Sequence, residues 1–521
     1  MLGRLLESKY MPARCAVPLF LLLPGFLMFG AEPPVIDRPG VVNTASQRPA
    51  ALGGAIARGS LITIYGVRFA SLIAANRVTL TIGGRSHALT LLHADTHRIE
   101  AWIPPDSPIG PGQLTVTSNG SSTAPEPVTI LKSAPGLFSA NRQGWGPARS
   151  SNTPADSVEP GGKIALLATG VASADRPEVW VGNVAARVLS FHGPAVPRYM
   201  AEIAIQVPSE APEGCYVPVH ARVPGAPPSN MVTIAIHRGG GACASGPADP
   251  AGGWNGQRTG ILLLSRTVRR TLDAPKDHLE DEFNAGFFDV PQAKARSSPL
   301  LMAPPPGVCT TWAGSMKANT ALGASIWDLL FGGIPGKGLD AGTSIAIHNQ
   351  TVQMEAPRVN GAPGLYRRVL SGGPGRVALR NRLPLDSGRL GMSGSGGPQV
   401  GPFTVALPVP LPFTVPTRPV PIPRSRPVIV EWSAATSGGT MAIALIGADP
   451  NRNIAGMAYC VAPEAAGRFV IPADLVSQLP PGRGGLVMAS WRRQNLNPPP
   501  HGIVQMIGLS GFSQSWEVRI E

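Results

Sequence analysis

Lysine, aromatic residues and charged residues in general are scarce in this chain. Only seven of the 521 residues are lysine, aromatic residues make up 6% and charged residues 14%. The formal net charge is +13, but the basic residues are mostly arginine and occur singly or in pairs. Proteins that bind nucleic acids usually gather basic residues on one face and interleave aromatic side chains. The sequence therefore predicts no specific nucleic-acid partner, and attraction to an anionic polymer outside the cell stays open.

Long hydrophobic runs are also missing after the N-terminal segment. Residues 1–31 join a basic start to an apolar run at 16–29, which is typical of a signal peptide. The run is shorter than the ~20 residues that a spanning helix needs, and an uncleaved anchor is the alternative interpretation. No later stretch is long and apolar enough to cross a bilayer. We expect a secreted, periplasmic or cell-surface protein without a transmembrane span after signal removal.

Residues that favour surface helices are rare, whereas turn-forming residues are abundant. The chain has 62 glycines and 57 prolines, yet 43% of its residues are hydrophobic. This apolar content is enough for packed cores, so we expect glycine and proline in loops between strands and no global disorder. The composition predicts an all-β fold, and the length predicts about three or four domains.

A motif of one strand and a glycine turn occurs twice, about a hundred residues apart. The first copy is G-S-L-I-T-I-Y-G-V-R-F at 59–69, and the second is G-K-I-A-L-L-A-T-G at 162–170. Such a period suits a small β-sandwich and is too long for a solenoid repeat. We predict repeats at 35–135 and 145–240 and a glycine-rich linker at 241–258. Three further segments match in the same order in the two copies: 81–84 with 180–183, 99–104 with 203–208, and 128–130 with 232–234.

The first copy resembles an IPT/TIG immunoglobulin-like domain, because V-T-L-T-I-G-G, I-E-A-W-I-P-P and G-Q-L-T-V-T follow its glycine turn in that order. The tandem pair, with A-P-G-L-F at 134–138 and G-C-Y-V-P-V at 214–219, resembles a large uncharacterised family of secreted bacterial proteins. The resemblance implies tandem immunoglobulin-like β-sandwiches in an extracellular, multidomain protein without an established enzymatic role. The second copy departs from the IPT/TIG pattern, since no aromatic residue occupies the place of Phe69.

The half of the chain after the linker continues the strand pattern. Alternating segments predict a β-rich domain at 259–407 and a C-terminal β-sandwich region at 428–521. Between them, residues 408–427 contain eight prolines, which remove the N–H donors that a central strand needs. We therefore predict a proline-rich connector there, and the whole chain is read as tandem immunoglobulin-like β-sandwiches followed by further β-sandwich-type domains.

Four cysteines remain after removal of the predicted signal peptide. An even number in an exported chain favours disulfides, and four cysteines allow three connectivities. Cys215 begins a strand of the second repeat and Cys243 follows its last strand, so we predict a Cys215–Cys243 bond. Cys309–Cys460 would then tie the two C-terminal segments together. No C-x-x-C spacing is present, which argues against zinc.

No set of side chains in the sequence makes a convincing catalytic or metal site. His93, Asp95 and His97 would share one face of a strand, but the second repeat lacks such ligands and we expect a turn there. The acidic residues between 277 and 289 lack the order of a calcium loop, and we interpret them as a solvated charged turn. Residues 391–397 match neither G-x-S-x-G nor a phosphate loop. We predict no catalytic residue, no metal and no cofactor. Four tryptophans are interpreted as packing residues rather than sugar-stacking platforms: Trp102, Trp180, Trp432 and Trp491.

These observations favour a non-catalytic, exported, multidomain β-sandwich protein that acts in adhesion, binding or scaffolding. Its loops or strand edges would face a protein or glycan partner outside the cytoplasm. The alternative is an extracellular carbohydrate-active enzyme or its accessory binding module. In that case the active residues would lie within 255–521.

Overall fold

The computed structural model describes residues 32–48, 50, 54–151, 157–172, 175–194, 196, 199–241, 258–270, 278–290, 304–314, 336–350, 353–372, 385, 388–416, 421–433, 439–449 and 454–521. Regular structure within these residues is almost entirely β-strand, which confirms the all-β fold class. The predicted signal peptide, residues 1–31, and residues 242–257 of the predicted linker lie outside them. No helix in the described ranges is long and apolar enough to cross a membrane.

Repeat 1 is a sandwich of two sheets. One sheet has the order β1-β3-β7-β6, and the other has the order β2-β10-β8-β4-β5 with β9 paired to β8. Side chains from both sheets share one buried cluster that includes Ile64, Leu80 and Ile99. The ten strands are β1 (Val35–Asn43), β2 (Ile56–Ala57), β3 (Leu61–Val67), β4 (Asn76–Ile82), β5 (Arg85–Ala88), β6 (Thr90–Asp95), β7 (Arg98–Trp102), β8 (Gly110–Ser118), β9 (Ser121–Ser122) and β10 (Glu126–Leu131).

The glycine of the first repeated motif is required by close packing. A Cβ atom at Gly66 would collide with the Phe69 ring and with the carbonyl oxygen of Val35. Phe69 is 3% exposed and belongs to the core of repeat 1. The spacing G-V-R-F therefore places an aromatic ring directly over a backbone that has no side chain.

Repeat 2 reproduces the strand pairing of repeat 1. Its strand order is β11-β12-β15-β14-β13-β16-β17. As in repeat 1, the first motif strand pairs with the proline-closed strand, β12 with β15 as β3 with β7. The last strand pairs with a preceding long strand, β17 with β16 as β10 with β8. Strand β14 replaces two strands of repeat 1, since its first half pairs with β13 and its second half with β15. The strands are β11 (Gly136–Leu137), β12 (Lys163–Thr169), β13 (Glu178–Val181), β14 (Val184–His192), β15 (Ala201–Gln206), β16 (Gly214–Arg222) and β17 (Val232–Ile236).

The remaining strands form the C-terminal unit. They are β18 (Arg258–Arg270), β19 (His278–Asp289), β20 (Cys309–Gly314), β21 (Lys337–Gly338), β22 (Ser344–His348), β23 (Gln353–Pro357), β24 (Leu365–Gly372), β25 (Arg389–Gly394), β26 (Phe403–Pro408), β27 (Val428–Glu431), β28 (Thr440–Asp449), β29 (Ile454–Pro463), β30 (Arg468–Ile471), β31 (Gly482–Asn495) and β32 (Gln505–Ile520). A four-residue helix, α1 (Ala473–Val476), follows β30, and short 3-10 turns lie at Ile73–Ala75 and Glu464–Ala466.

One nine-stranded sheet organises the C-terminal unit. Its order is β20-β29-β28-β31-β32-β18-β19-β21, with β24 also paired to β19. Strands β18 and β32 are parallel and join the two ends of the unit. Strands from the predicted 259–407 and 428–521 segments thus share one sheet. Long-range pairing of this kind leaves no local pattern in the sequence.

Both faces of the nine-stranded sheet carry buried side chains. On one face, Ile261, Leu263 and Ala444 lie in a cluster that Trp145 of repeat 2 completes. Part of the other face packs on the four-stranded sheet β23-β22-β25-β26. The rest packs on the two-stranded antiparallel sheet formed by β27 and β30. Because residues of β18 alternate between the two clusters, the strand reads as a continuous apolar run rather than as an alternating one.

A disulfide between Cys309 and Cys460 links β20 to β29, as predicted. The two cysteines face each other in the antiparallel register, with their Cα atoms 4.0 Å apart. Both are buried in the cluster under β27 and β30. Cys215 is also disulfide-bonded, but Cys243 lies outside the described residues, so that pairing stays a prediction.

Candidate functional site

A local hydrogen-bond network joins His93, Asp95 and His97. Asp95 Oδ1 accepts the backbone N–H of His97 at 2.8 Å, and Asp95 Oδ2 lies 3.2 Å from His93 Nε2. Arg98 also reaches His93 Nε2, at 3.0 Å. Burial works against ionisation of Asp95, but the hydrogen bonds from His97 and His93, together with Arg98, hold its pKa below its usual range. The side chains therefore stabilise the β6–β7 turn.

Metal ligands do not converge elsewhere in the described ranges. No group of three or more histidine, cysteine, aspartate or glutamate residues in them is arranged to hold an ion. The expectation of no metal and no catalytic residue for the whole chain remains a prediction.

The interpretation as a solvated turn was wrong for Glu280, Asp281 and Glu282, which lie buried near the start of strand β19. Asp289 is exposed at the end of that strand, and Asp277 lies outside the described residues. Asp281 is fully buried, and Glu280 and Glu282 are 8% and 3% exposed. Arg266 on the neighbouring strand β18 holds both Asp281 oxygens, at 2.7 and 2.9 Å. Ser371 Oγ on β24 donates to Asp281 Oδ2 at 3.0 Å.

The flanking carboxylates of this cluster are paired on the opposite face of the sheet. Arg269 lies 3.2 Å from Glu280, and Arg367 binds Glu282. Each pair is diagonal in the strand register. Because side chains alternate along a strand, three consecutive acidic residues can be buried only if arginines cover both faces. The bonds of these carboxylates to arginines and to Ser371 therefore link β18, β19 and β24, and we call Glu280, Asp281 and Glu282 the carboxylate cluster.

Other carboxylates of the C-terminal unit are also held by arginine. The further pairs in the described ranges are Arg358–Asp340, Arg468–Glu431, Arg483–Glu517 and Arg222–Asp474.

The glycine-rich segment at 391–397 is explained by packing. A Cβ atom at Gly391 would meet the ring of His348 on β22, and one at Gly394 would meet the ring of Phe403 on β26. The segment forms much of β25, whose Met392 is fully buried. Its glycines therefore allow rings on both neighbouring strands to lie flat against the sheet.

Three of the four tryptophans considered as platforms serve packing. Trp102 is 7% exposed and meets the Tyr199 ring edge to face at 5.1 Å, between the repeats. Trp432 is 4% exposed, and its Nε1 donates to the carbonyl of Glu464 at 2.7 Å. Trp491 packs beside the cluster that contains Trp145. These positions agree with the packing interpretation.

Trp180 differs because it lies half-buried on the outer face of repeat 2. Its ring stacks on His220 of β16, with centroids 5.4 Å apart and planes inclined by 8°. The guanidinium of Arg222 lies 5.1 Å from the centre of the Trp180 ring, a cation–π distance. On the other side, the register partner of Trp180 is the exposed Ala185 of β14. We call Trp180, Ala185, His220 and Arg222 the Trp180 patch.

Charges around the Trp180 patch are fixed by the C-terminal unit. Arg222 Nη2 bonds Asp474 Oδ2 of α1 at 2.7 Å, which orients the guanidinium over the indole. Burial and the charge of Arg222 lower the pKa of His220 to about 4, while Asp474 opposes this shift. His220 is therefore a neutral ring at pH 7. No local pattern indicates the contact between Asp474 and Arg222, because these residues lie 252 positions apart in the chain.

Two buried asparagines lie where repeat 1 meets repeat 2. Asn43 Nδ2 donates to the Ala134 carbonyl at 3.1 Å, at the end of repeat 1. Asn230 accepts the N–H of Leu137 at 2.9 Å and donates to the carbonyls of Leu137 and Gly144 at 2.8 and 2.9 Å. Asn230 Nδ2 also lies 3.4 Å from the carbonyl oxygen of Ala45, so this buried amide joins repeat 2 to repeat 1.

We expect Asn230→Ala to weaken this junction. The substitution leaves the buried N–H of Leu137 without its acceptor, and such an orphaned group costs about 1–3 kcal/mol. Urea denaturation of the full chain should show a free energy of unfolding lower by that amount. The exposed Asn183→Ala variant is the control and should match the parent protein. A change below about 0.5 kcal/mol for Asn230→Ala would contradict the assigned role.

Comparison with known proteins gives likeness to solved structures alone. No protein-family model matches the chain, and no curated protein matches it. A surface glycan-binding protein from Prevotella bryantii is 13% identical over 35% of this chain and 36% of its own, with a TM-score of 0.15. The SGBP-B protein of the Bacteroides ovatus mixed-linkage glucan utilization locus, in complex with a heptasaccharide, is 11% identical over 76% and 78%, with a TM-score of 0.14. A tetra-tandem repeat of a large adhesion protein is 11% identical over 92% and 98%, with a TM-score of 0.14. At these TM-scores the function has to be argued from the chain's own residues.

Proposed function

We propose that this protein is a non-catalytic, exported binding protein whose tandem IPT/TIG-type domains present the Trp180 patch to a glycan outside the cytoplasm. The observation that carries the proposal is the half-buried indole of Trp180 beside a guanidinium on an outer sheet face. An indole offers a broad apolar face for a sugar ring, and the arginine beside it supplies hydrogen-bond donors for hydroxyl groups.

The shape of the Trp180 patch supports a flat ligand. Ala185 stands opposite Trp180 in the β13–β14 register, and its side chain ends at Cβ. No longer side chain from that position stands beside the indole, so a ring can approach from the β14 side. The His220 stack and the Arg222–Asp474 bond hold the indole from the β16 side. Such preorganised sites lose little entropy on binding.

The pairing of carboxylates supports a binding role rather than hydrolysis. A glycosidase needs two carboxyl groups facing one substrate bond, one of them with a raised pKa. The buried carboxylates Glu280, Asp281 and Glu282 are each held by an arginine instead. This arrangement argues against the carbohydrate-active alternative in the described part of 255–521.

A glycan array with the purified chain tests the proposal, followed by titration of each retained glycan. Trp180→Ala should weaken binding by about 30-fold, the effect of a central tryptophan worth about 2 kcal/mol. Leu72→Ala, at a side chain that is 71% exposed in repeat 1, is the control and should leave the affinity unchanged. Unchanged glycan affinity in Trp180→Ala, or retention of proteins and no glycan, would rule out the proposed partner.

A further inference from the structure

An exposed arginine stands beside the open side of the Trp180 patch. Strand β14 turns Ala186 and Val188 toward the core of repeat 2, so Ala185 and Arg187 lie on its outer face. Ala185 is the register partner of Trp180, and Arg187 occupies the next outward position along β14. Residues in this diagonal relation on neighbouring strands lie about 7–8 Å apart, within reach of long side chains.

The two arginines near the indole differ in the charges that surround them. Arg222 Nη2 bonds Asp474 at 2.7 Å, and the register partner of Arg222 on β13 is Glu178. Two carboxylates therefore accompany this guanidinium, and a third one beside them would be repelled. Arg187, whose register partner on β15 is Gln206, makes no ion pair or hydrogen bond through its side chain with any residue that the structure describes.

A sugar ring stacked on the indole from the β14 side brings its substituents next to Arg187. A guanidinium presents its N–H groups as a planar fork that matches the two oxygens of a carboxylate. The hydroxymethyl group of a neutral sugar offers one uncharged oxygen in the same place, and hydrogen bonds between neutral groups are about half as strong. Arg187 therefore favours a ring that carries a carboxylate. The formal net charge of +13 for the whole chain also favours encounter with an anionic polymer.

We propose that the Trp180 patch selects acidic glycans, with Trp180 stacking on the sugar ring and Arg187 binding the carboxylate of a uronic acid. The inference rests on the proposed glycan role of the patch, and it adds the substrate class and a residue that determines specificity. Arg222, which is already paired with Asp474, is left to the uncharged hydroxyl groups. A neutral glycan lacks the partner of Arg187 and binds more weakly.

Isothermal titration of the full chain at constant ionic strength measures this preference with matched sugars. The probes are tetramers of glucuronate, mannuronate and galacturonate, each compared with its neutral, carboxyl-reduced counterpart. We expect at least one uronate tetramer to bind about tenfold more tightly than its counterpart, the effect of one hydrogen bond between charged groups. Arg187→Gln should abolish that difference, because the amide carries no charge.

A matched arginine variant separates a specific contact from general attraction. Arg77→Gln removes an exposed arginine on β4 of repeat 1 and should keep the preference for uronate. Loss of the preference in Arg77→Gln as large as in Arg187→Gln would overturn the role of Arg187. If each uronate and its neutral counterpart bind equally and lose affinity in Trp180→Ala, the acidic class is wrong and the glycan role stands. If no uronate tetramer binds, the acidic class is also overturned, and the glycan array decides the glycan role by itself.

Discussion

Replacing Asp281 by alanine is expected to lower the free energy of unfolding of the C-terminal unit by about 3–5 kcal/mol. The fully buried Asp281 carboxylate is the bidentate partner of Arg266, whose side chain is only 15% exposed. The substitution leaves that guanidinium without its anion inside the sheet and also removes the acceptor of Ser371. Chemical denaturation followed by tryptophan fluorescence measures the loss.

Two comparisons separate this effect from a general sensitivity of the sheet. Glu431→Ala breaks an exposed pair with Arg468 and should cost no more than about 1 kcal/mol. The double variant Arg266→Met/Asp281→Leu replaces both charges with apolar groups and should recover most of the lost stability. If Asp281→Ala lowers the free energy of unfolding no more than Glu431→Ala does, the carboxylate cluster does not stabilise the sheet as described.

Removing the Cys309–Cys460 disulfide is expected to cost about 5 kcal/mol. The bond closes a loop with a sequence separation of 151 residues, and restriction of the unfolded chain by such a loop gives a stabilisation of this size. The double variant Cys309→Ala/Cys460→Ala should therefore unfold at much lower denaturant concentration than the parent.

The single variant Cys460→Ala provides the matched control for this bond. Because either substitution breaks the bond, the single and double variants should lose similar stability, apart from the small cavity left by a second sulfur. Free thiol titration of the single variant should detect Cys309. A double variant within about 1 kcal/mol of the parent would show that the other contacts of β20 and β29 already restrict this loop.

The repeat architecture could be predicted because its signals are local. The strand-and-glycine motif carries its own packing reason, which is the Phe69 ring lying on Gly66. The equivalent glycine in repeat 2 is Gly170, and the backbone of Ala134 lies where a side chain at Gly170 would be. The Ala134 N–H donates to the Gly170 carbonyl oxygen at 2.7 Å. The missing aromatic residue in the second motif thus coincides with a contact between the repeats.

The C-terminal unit could be predicted only in part, because its sheet is built by distant partners. Strand β18 pairs in parallel with β32 at the end of the chain, a contact that no local pattern indicates. The acidic run at 280–282 lacks the apolar alternation of a half-buried strand, and so it resembles a turn. Its burial depends on Arg266 and Arg367, which lie 15 and 85 residues away from their partners.

The sequence alone shows which residue types could form a candidate site, but it does not show which of them come together. Trp180 could be named as one of several possible platforms, but its setting depends on His220 and Arg222 of another strand and on Asp474 of another unit. The setting of Trp180 therefore depends on how repeat 2 packs against the C-terminal unit.

The most direct test of a binding protein without catalysis is to incubate the purified chain with a polysaccharide that it retains and to measure new reducing ends. We expect retention that depends on Trp180 and no release of reducing ends above the level of a protein-free control. Steady release that disappears when a carboxylate within 255–521 is replaced by its amide would contradict the account.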